Sequence, residues 1–136
     1  MGIPLLGHCI ADDGQLKDPD WRAAGLLLAL GITPVLHGDV VVDTVRGASI
    51  VSGDQLVASL ARAFAPARVG LATDVPGVLG GDGAVTGRIG RGKGRGIAGG
   101  SRNPDVTGGM EGKIGELLAL ADGGIPSSIF HVSRLG

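Results

Sequence analysis

The stretch SIVSGDQLVASLARAF, residues 49–64, decides the fold class. It runs from a short β-branched segment through a Ser-Gly-Asp turn into a helix. Residues 49–52 read as a strand. Over residues 54–64 the apolar positions Leu56, Val57, Leu60 and Ala61 keep the i, i+3, i+4 spacing of a helix with one buried face. A strand that passes through a glycine turn straight into an amphipathic helix is the repeating unit of α/β proteins.

Working outward, the same alternation recurs. Residues 33–42, TPVLHGDVVV, form an apolar, β-branched run that reads as a buried strand of the parallel type. Before it, residues 21–30 read as a helix, with Asp20 as its N-cap and Gly31 as its stop. After residue 64, RVGLAT (68–73) reads as a third strand and residues 110–121 as a helix with Ile114, Leu117, Leu118 and Ala121 on one face. Residues 125–131 supply a last strand. The opening residues read as an apolar start, GIPLLGHCI, and a polar turn, ADDGQLKDPD. Strands alternating with helices imply a mainly parallel sheet covered on both faces, with ligands beyond the carboxyl ends of its strands. Three turns point to that rim: SGD (52–54), TDVPG (73–77) and DVTGGM (105–110).

The chain has 136 residues, 43% hydrophobic and 18% charged, with net charge −1. That fits one folded domain over residues 1–136 and gives no overall field toward nucleic acid or membrane. The longest apolar run, residues 23–36, is broken by Gly31 and Pro34 and is too short to span a bilayer. No basic-then-apolar start suggests a signal peptide, and the single Cys9 fits a reducing, cytoplasmic setting as a buried small side chain. With aromatics at 2%, the core must rest on Leu, Val, Ile and Ala.

Three motifs can carry chemistry. In DVTGGMEGK (105–113), Gly108 and Gly109 open a helix and Lys113 stands one turn later. Small residues, free amide N–H groups and a cation suit a phosphate. The bland alternative is a helix start with an exposed lysine, but each helical glycine then costs about 0.5–1 kcal/mol relative to alanine. In SGD, Gly53 allows close approach of a ligand. Asp54 is either an ordinary N-cap or a carboxylate that arranges lysines around a transferring phosphoryl group. In TDVPG, Asp74 sits in a common turn signature that also suits a nucleotide-side loop.

Other patterns say less. Residues 80–103 form a glycine-rich, basic loop with Arg88, Arg91, Lys93, Arg95 and Arg102. Within it Gly94–Gly99 matches GxGxxG but follows no strand, and the P-loop-like run ending at Lys93 lacks the Ser or Thr that would meet a metal. A mobile loop without function is the first expectation, a basic loop over ATP phosphates the second, and RNA binding the third, because no aromatics are interleaved for base stacking. His8, His37 and His131 show no metal-ligand spacing.

Taken together, PVLHGDVVVD, ASIVSGDQLVASLA, RVGLATDVPGVL and DVTGGMEGKIGELLAL resemble the amino acid kinase family, in particular its isopentenyl phosphate kinase branch. The resemblance implies an α/β three-layer αβα sandwich, mainly parallel and truncated at both ends. It implies a phosphotransferase that uses ATP and Mg²⁺, with isopentenyl phosphate as acceptor. Fosfomycin kinase-like relatives share the plan. Carried over, Asp54 and Lys113 are the catalytic residues and Gly53 contacts the acceptor phosphate. Asp74, Leu79, Gly80, Gly81, Asp82, Gly83, Ala84, Gly109 and Lys113 hold the nucleotide. Where the family commonly has an aspartate, this chain has Pro76. The family's opening lysine–glycine loop and its acceptor-binding histidine turn have no counterpart here. The chain thus resembles the nucleotide-side half, expected to form a homodimer or to pair with a missing N-terminal half. A non-catalytic nucleotide-binding fragment, or one half of a split kinase, is the competing expectation. Neither membrane nor nucleic acid is an expected partner.

Overall fold

The computed structural model describes residues 1–79, 84–87, 89 and 109–135. The chain divides into two compact units, Met1–Ala65 and Pro66–Gly136.

The first unit contains β1 (Ile10–Asp12), β2 (Gln15–Lys17), α1 (Arg22–Ala29), β3 (Asp39–Asp43), β4 (Gly47–Val51) and α2 (Gly53–Phe64). Its strands lie in the order β2-β1-β3-β4. β1 and β3 are parallel, whereas β1–β2 and β3–β4 are antiparallel hairpins. The second unit contains β5 (Val69–Thr73), α3 (Gly109–Asp122) and β6 (Ser127–His131), with β5 and β6 parallel over five residue pairs. The chain is α/β, as expected; pairing is parallel in the second unit and mixed in the first.

The β1–β2 hairpin corrects the reading of residues 11–20 as a polar turn. Its cue was Asp13-Gly14. Both residues have positive φ, 51° and 82°, which is what a two-residue hairpin turn with the twist of its strands demands. The β3–β4 hairpin closes over Thr44, Val45 and Arg46, with Gly47 at φ 82° pairing Asp43. Glycine adopts that left-handed conformation at no steric cost where the chain enters β4. The apolar run expected as one strand over residues 33–42 is interrupted at His37-Gly38. Val35 bridges Gly2, and β3 begins at Asp39.

That run was also expected to be buried on both faces. Instead Val41 is 1% exposed while its neighbours Val40 and Val42 are 54% and 56% exposed. Antiparallel pairing lets a sheet cover one face only, and α2 covers the face of Val41 and Val51. The core of this unit joins Leu5, Cys9, Ala11, Trp21, Val41, Val51 and Leu56. Trp21 is therefore a core residue despite the scarcity of aromatics, and its indole Nε1–H donates to Ser59 Oγ at 3.0 Å. Cys9 is buried as expected, and burial pushes its thiol pKa up.

Helix ends follow local chemistry. α1 stops in a Schellman motif: Gly31 at φ 72° donates to Leu28 and Ile32 donates to Leu27. At its start the cap position is Trp21, not Asp20. Asp20 still accepts from the Arg22 amide at 3.0 Å and grips the Arg22 guanidinium. α3 ends in the same way as α1, with Gly124 at φ 83°, Gly124 donating to Ala121 and Ile125 to Leu120. No helix among the described residues is long and apolar enough to cross a membrane.

Candidate functional site

The first cluster of expected site residues sits at the amino end of α2. Ser52 is the N-cap: its backbone is extended (φ −78°, ψ 157°) and its Oγ accepts from the Gln55 amide at 3.3 Å. Asp54 is therefore not the cap, and the structural explanation available from sequence falls to Ser52. Gly53 is the first helical residue and is exposed; Asp54 follows it in the first turn, half-buried. A carboxylate there is favoured by the partial positive charge of the helix start, which also suits a bound anion.

This tip is tied to the hairpins by residues that the sequence reading passed over. The Gln55 amide accepts from the Leu16 N–H at 2.9 Å and donates to the Gly14 carbonyl at 3.3 Å. It acts as a one-residue strand partner for the edge of β2. Beneath lies Asp43, 2% exposed, whose carboxylate accepts from the amides of Asp13, Gly14, Val45 and Arg46 and from Ser49 Oγ. These donors hold its pKa well below the usual carboxylate range against the opposing effect of burial. The available signal was an acid at a strand end, directly before a turn closed by Gly47.

The second cluster lies in the other unit. Asp74 is exposed and directly follows the carboxyl end of β5. Thr73 shapes this turn, its hydroxyl accepting from the Val75 amide at 3.3 Å and donating to the Val75 carbonyl at 2.8 Å. Leu79 pairs antiparallel with Val85, and the Thr86 amide donates to Val78 at 2.7 Å. This bridge encloses residues 80–84. Ala84 is exposed; Gly80, Gly81, Asp82 and Gly83 lie outside the described residues, as do Gly108, the GxGxxG match and most of the basic loop.

Gly109 is the first residue of α3, and Lys113 lies one turn later, half-buried. Only four residues separate α3 from β6, which runs parallel to β5. α3 must therefore return the chain to the amino ends of the strands. Its own start stands toward the carboxyl ends, the edge that carries Asp74. A cleft of about 270 Å³ opens between α3 and the segment after β5. Val78, Val85, Ile114, Leu117 and Ile129 give it apolar walls, and Thr86 and Ser128 also line it. Among the described residues no three His, Cys, Asp or Glu side chains gather as a metal-holding group.

A sequence profile of the Amino acid kinase family matches residues 2–131. The chain belongs to the amino acid kinase family. Within that family it is 46% identical over 128 residues to an isopentenyl phosphate kinase of Haloferax volcanii, covering 93% of this chain and 50% of the relative. It is 38% identical over 134 residues to an isopentenyl phosphate kinase of Methanothermobacter thermautotrophicus, with the same coverage. Among solved structures, one described as X-ray structures of isopentenyl phosphate kinase superposes with a TM-score of 0.75 at 31% identity, over 96% of this chain and 50% of that one. The fold is thus that of the amino acid kinases, and the chain spans about half the length of the relatives it matches.

Proposed function

We propose that this chain is the nucleotide-binding part of an ATP-dependent phosphotransferase of the isopentenyl phosphate kinase type, moving a phosphoryl group from ATP to isopentenyl phosphate. The single observation that carries the reading is the 46% identity to an isopentenyl phosphate kinase over 93% of the chain. The two helix starts give it a physical basis. In this reading Gly109 and Lys113 meet the ATP phosphates, because a helix start with a cation one turn in favours an anion. On the same reading Asp74, Leu79 and Ala84, with Gly80, Gly81, Asp82 and Gly83, line the nucleotide; the apolar cleft includes none of them but is walled by Val78 and Val85, the chain neighbours of Leu79 and Ala84. Gly53 meets the acceptor phosphate and Asp54 arranges the cations around the transferring group, since such transfer depends on positioning and charge.

The magnesium ion of this reading arrives on the triphosphate, since Mg²⁺ keeps several waters and binds through phosphates with one or two carboxylates rather than an all-protein cage. The working assembly, a homodimer or a pairing with the part of the relatives that this chain does not span, operates in the cytoplasm.

The test is a thermal-shift titration with MgATP alongside product formation from ATP and isopentenyl phosphate. ATP is expected to raise the melting temperature of the wild-type chain and not of Lys113→Ala. An equal shift in both would remove Lys113 from the site. No shift in the wild type and no product, alone or with the relatives' other half supplied, would overturn the reading.

A further inference from the structure

Gly38 is a glycine that its backbone does not require. The positive-φ glycines among the described residues are Gly7, Gly14, Gly31, Gly47, Gly77 and Gly124; Gly38 is not one of them. Alanine could adopt its dihedral angles. What is lacking is space. A Cβ at this position would stand 2.8 Å from the Val51 carbonyl oxygen, 3.3 Å from the Gly53 amide nitrogen and 3.5 Å from the Ser52 carbonyl carbon. All three are backbone atoms, which cannot swing aside as a side chain can. Glycine is the residue that lets two backbones approach this closely. The break in the 33–42 run at His37-Gly38 thus coincides with the point where the chain lies against the start of α2.

We propose that Gly38 is a positioning residue for the Ser52–Asp54 turn. Resting on the kinase reading, it thereby sets where the Gly53 amide meets the acceptor phosphate. Gln55 holds the same turn from the hairpin side through Leu16 and Gly14, so the tip of α2 is clamped between two backbone segments. Any side chain at residue 38 pushes one wall of the clamp outward. The Gly53 amide then moves, while the core beneath, Val41, Val51 and Leu56, keeps its packing.

The experiment compares ¹H–¹⁵N spectra of wild type, Gly38→Ala and Gly2→Ala, each with and without isopentenyl phosphate or inorganic phosphate. Gly2 serves as the control because an added Cβ there would meet nothing within 4 Å. Gly38→Ala is expected to shift the Gly53 and Asp54 amide resonances, 15 and 16 residues away in sequence, and to weaken phosphate binding about tenfold. Resonances from the second unit should stay in place, which a rearrangement of the whole fold would not allow. Gly2→Ala should change neither. Unmoved Gly53 and Asp54 resonances in a folded Gly38→Ala would overturn the proposal. If that variant does not fold, the wild-type chain decides: a nuclear Overhauser contact between the Gly38 Hα and the Gly53 amide is required, and its absence overturns the proposal. Should the wild-type Gly53 amide ignore both phosphates, the acceptor reading fails, and the unliganded spectra still judge the positioning role.

Discussion

The Asp43 carboxylate accepts the Gly14 amide at 2.7 Å, joining the turn of one hairpin to the foot of another 29 residues away. Parallel pairing between β1 and β3 brings Ala11 opposite Asp43. That register sets the Asp13-Gly14 turn over the acid. The same carboxylate takes Val45, Arg46 and Ser49 from its own hairpin, and the Arg46–Asp13 ion pair at 2.8 Å closes the junction outside.

Replacing Asp43 by Asn puts an amide N–H₂ among four backbone N–H groups that can only donate, with the Ser49 hydroxyl as the one partner able to accept. Buried donors left without an acceptor are costly. Asp43→Asn is therefore expected to lower the melting temperature clearly, and Asp39→Asn, at a half-buried strand start, much less. Thermal unfolding of the two variants checks this; equal effects would show that Asp43 is not the junction.

Acid should unfold the chain through the same groups. Asp43 and Asp12 are held below their ordinary values, by the donors around Asp43 and by the hydrogen bonds of Lys17 and Thr44 to Asp12. Asp20 is held down to about 2, chiefly by the Arg22 hydrogen bond. The unfolded chain, with aspartates near 3.9, binds protons first as pH falls. Stability is thus full above about pH 5, declines through pH 4, and continues down toward the folded values. Urea midpoints from pH 7 to pH 3 should show that slope, and Asp43→Asn should flatten it.

Ser52→Ala removes the oxygen that accepts the Gln55 amide and is expected to cost about 1 kcal/mol, whereas Ser52→Gly should cost only a few tenths. Chemical denaturation of both variants tests the cap; identical losses would assign the effect to something other than the hydroxyl.

Leu5 is fully buried and Leu6, its neighbour, is 64% exposed. Leu5→Ala should destabilise by about 2–5 kcal/mol and Leu6→Ala by less than about 0.5 kcal/mol. A similar loss at both positions would mean that the side chain of Leu6 is covered in solution.

On the kinase reading, Asp54→Asn should lower turnover by about 10²–10³, the usual loss when one charge-positioning group is removed. The MgATP-induced thermal shift should survive, because Lys113 and Gly109 are untouched. Loss of the shift with intact turnover would reverse these roles.

Most element types were legible before the structure. The α2 spacing of Leu56, Leu60 and Ala61, the glycine stop at Gly31 and the strand at residues 68–73 are local signals, each carried by a few consecutive side chains. The family motifs were legible for the same reason, since SGD and TDVPG are contiguous. Two things were not. The Asp13-Gly14 hairpin was visible as a dipeptide but stood between runs too short to show period-2 alternation. Asp43 offered only the weak local sign of an acid ahead of a glycine-closed turn, because the amides of residues 13 and 14 join its own hairpin's donors only when β1 pairs with β3.

The order of letters by itself determined the helices, the helix-start glycines with their lysine, and the kinship of the chain. These rest on interactions within a turn or two of backbone. Only the tertiary structure decided that β3 buries one face rather than two, that Ser52 instead of Asp54 caps α2, and that Gly38 lies against Gly53. The first and the last are contests between groups distant in the chain for the same space, settled only once the sheet has formed, whereas the cap is a local choice between two side chains two residues apart for the free amides of one helix turn.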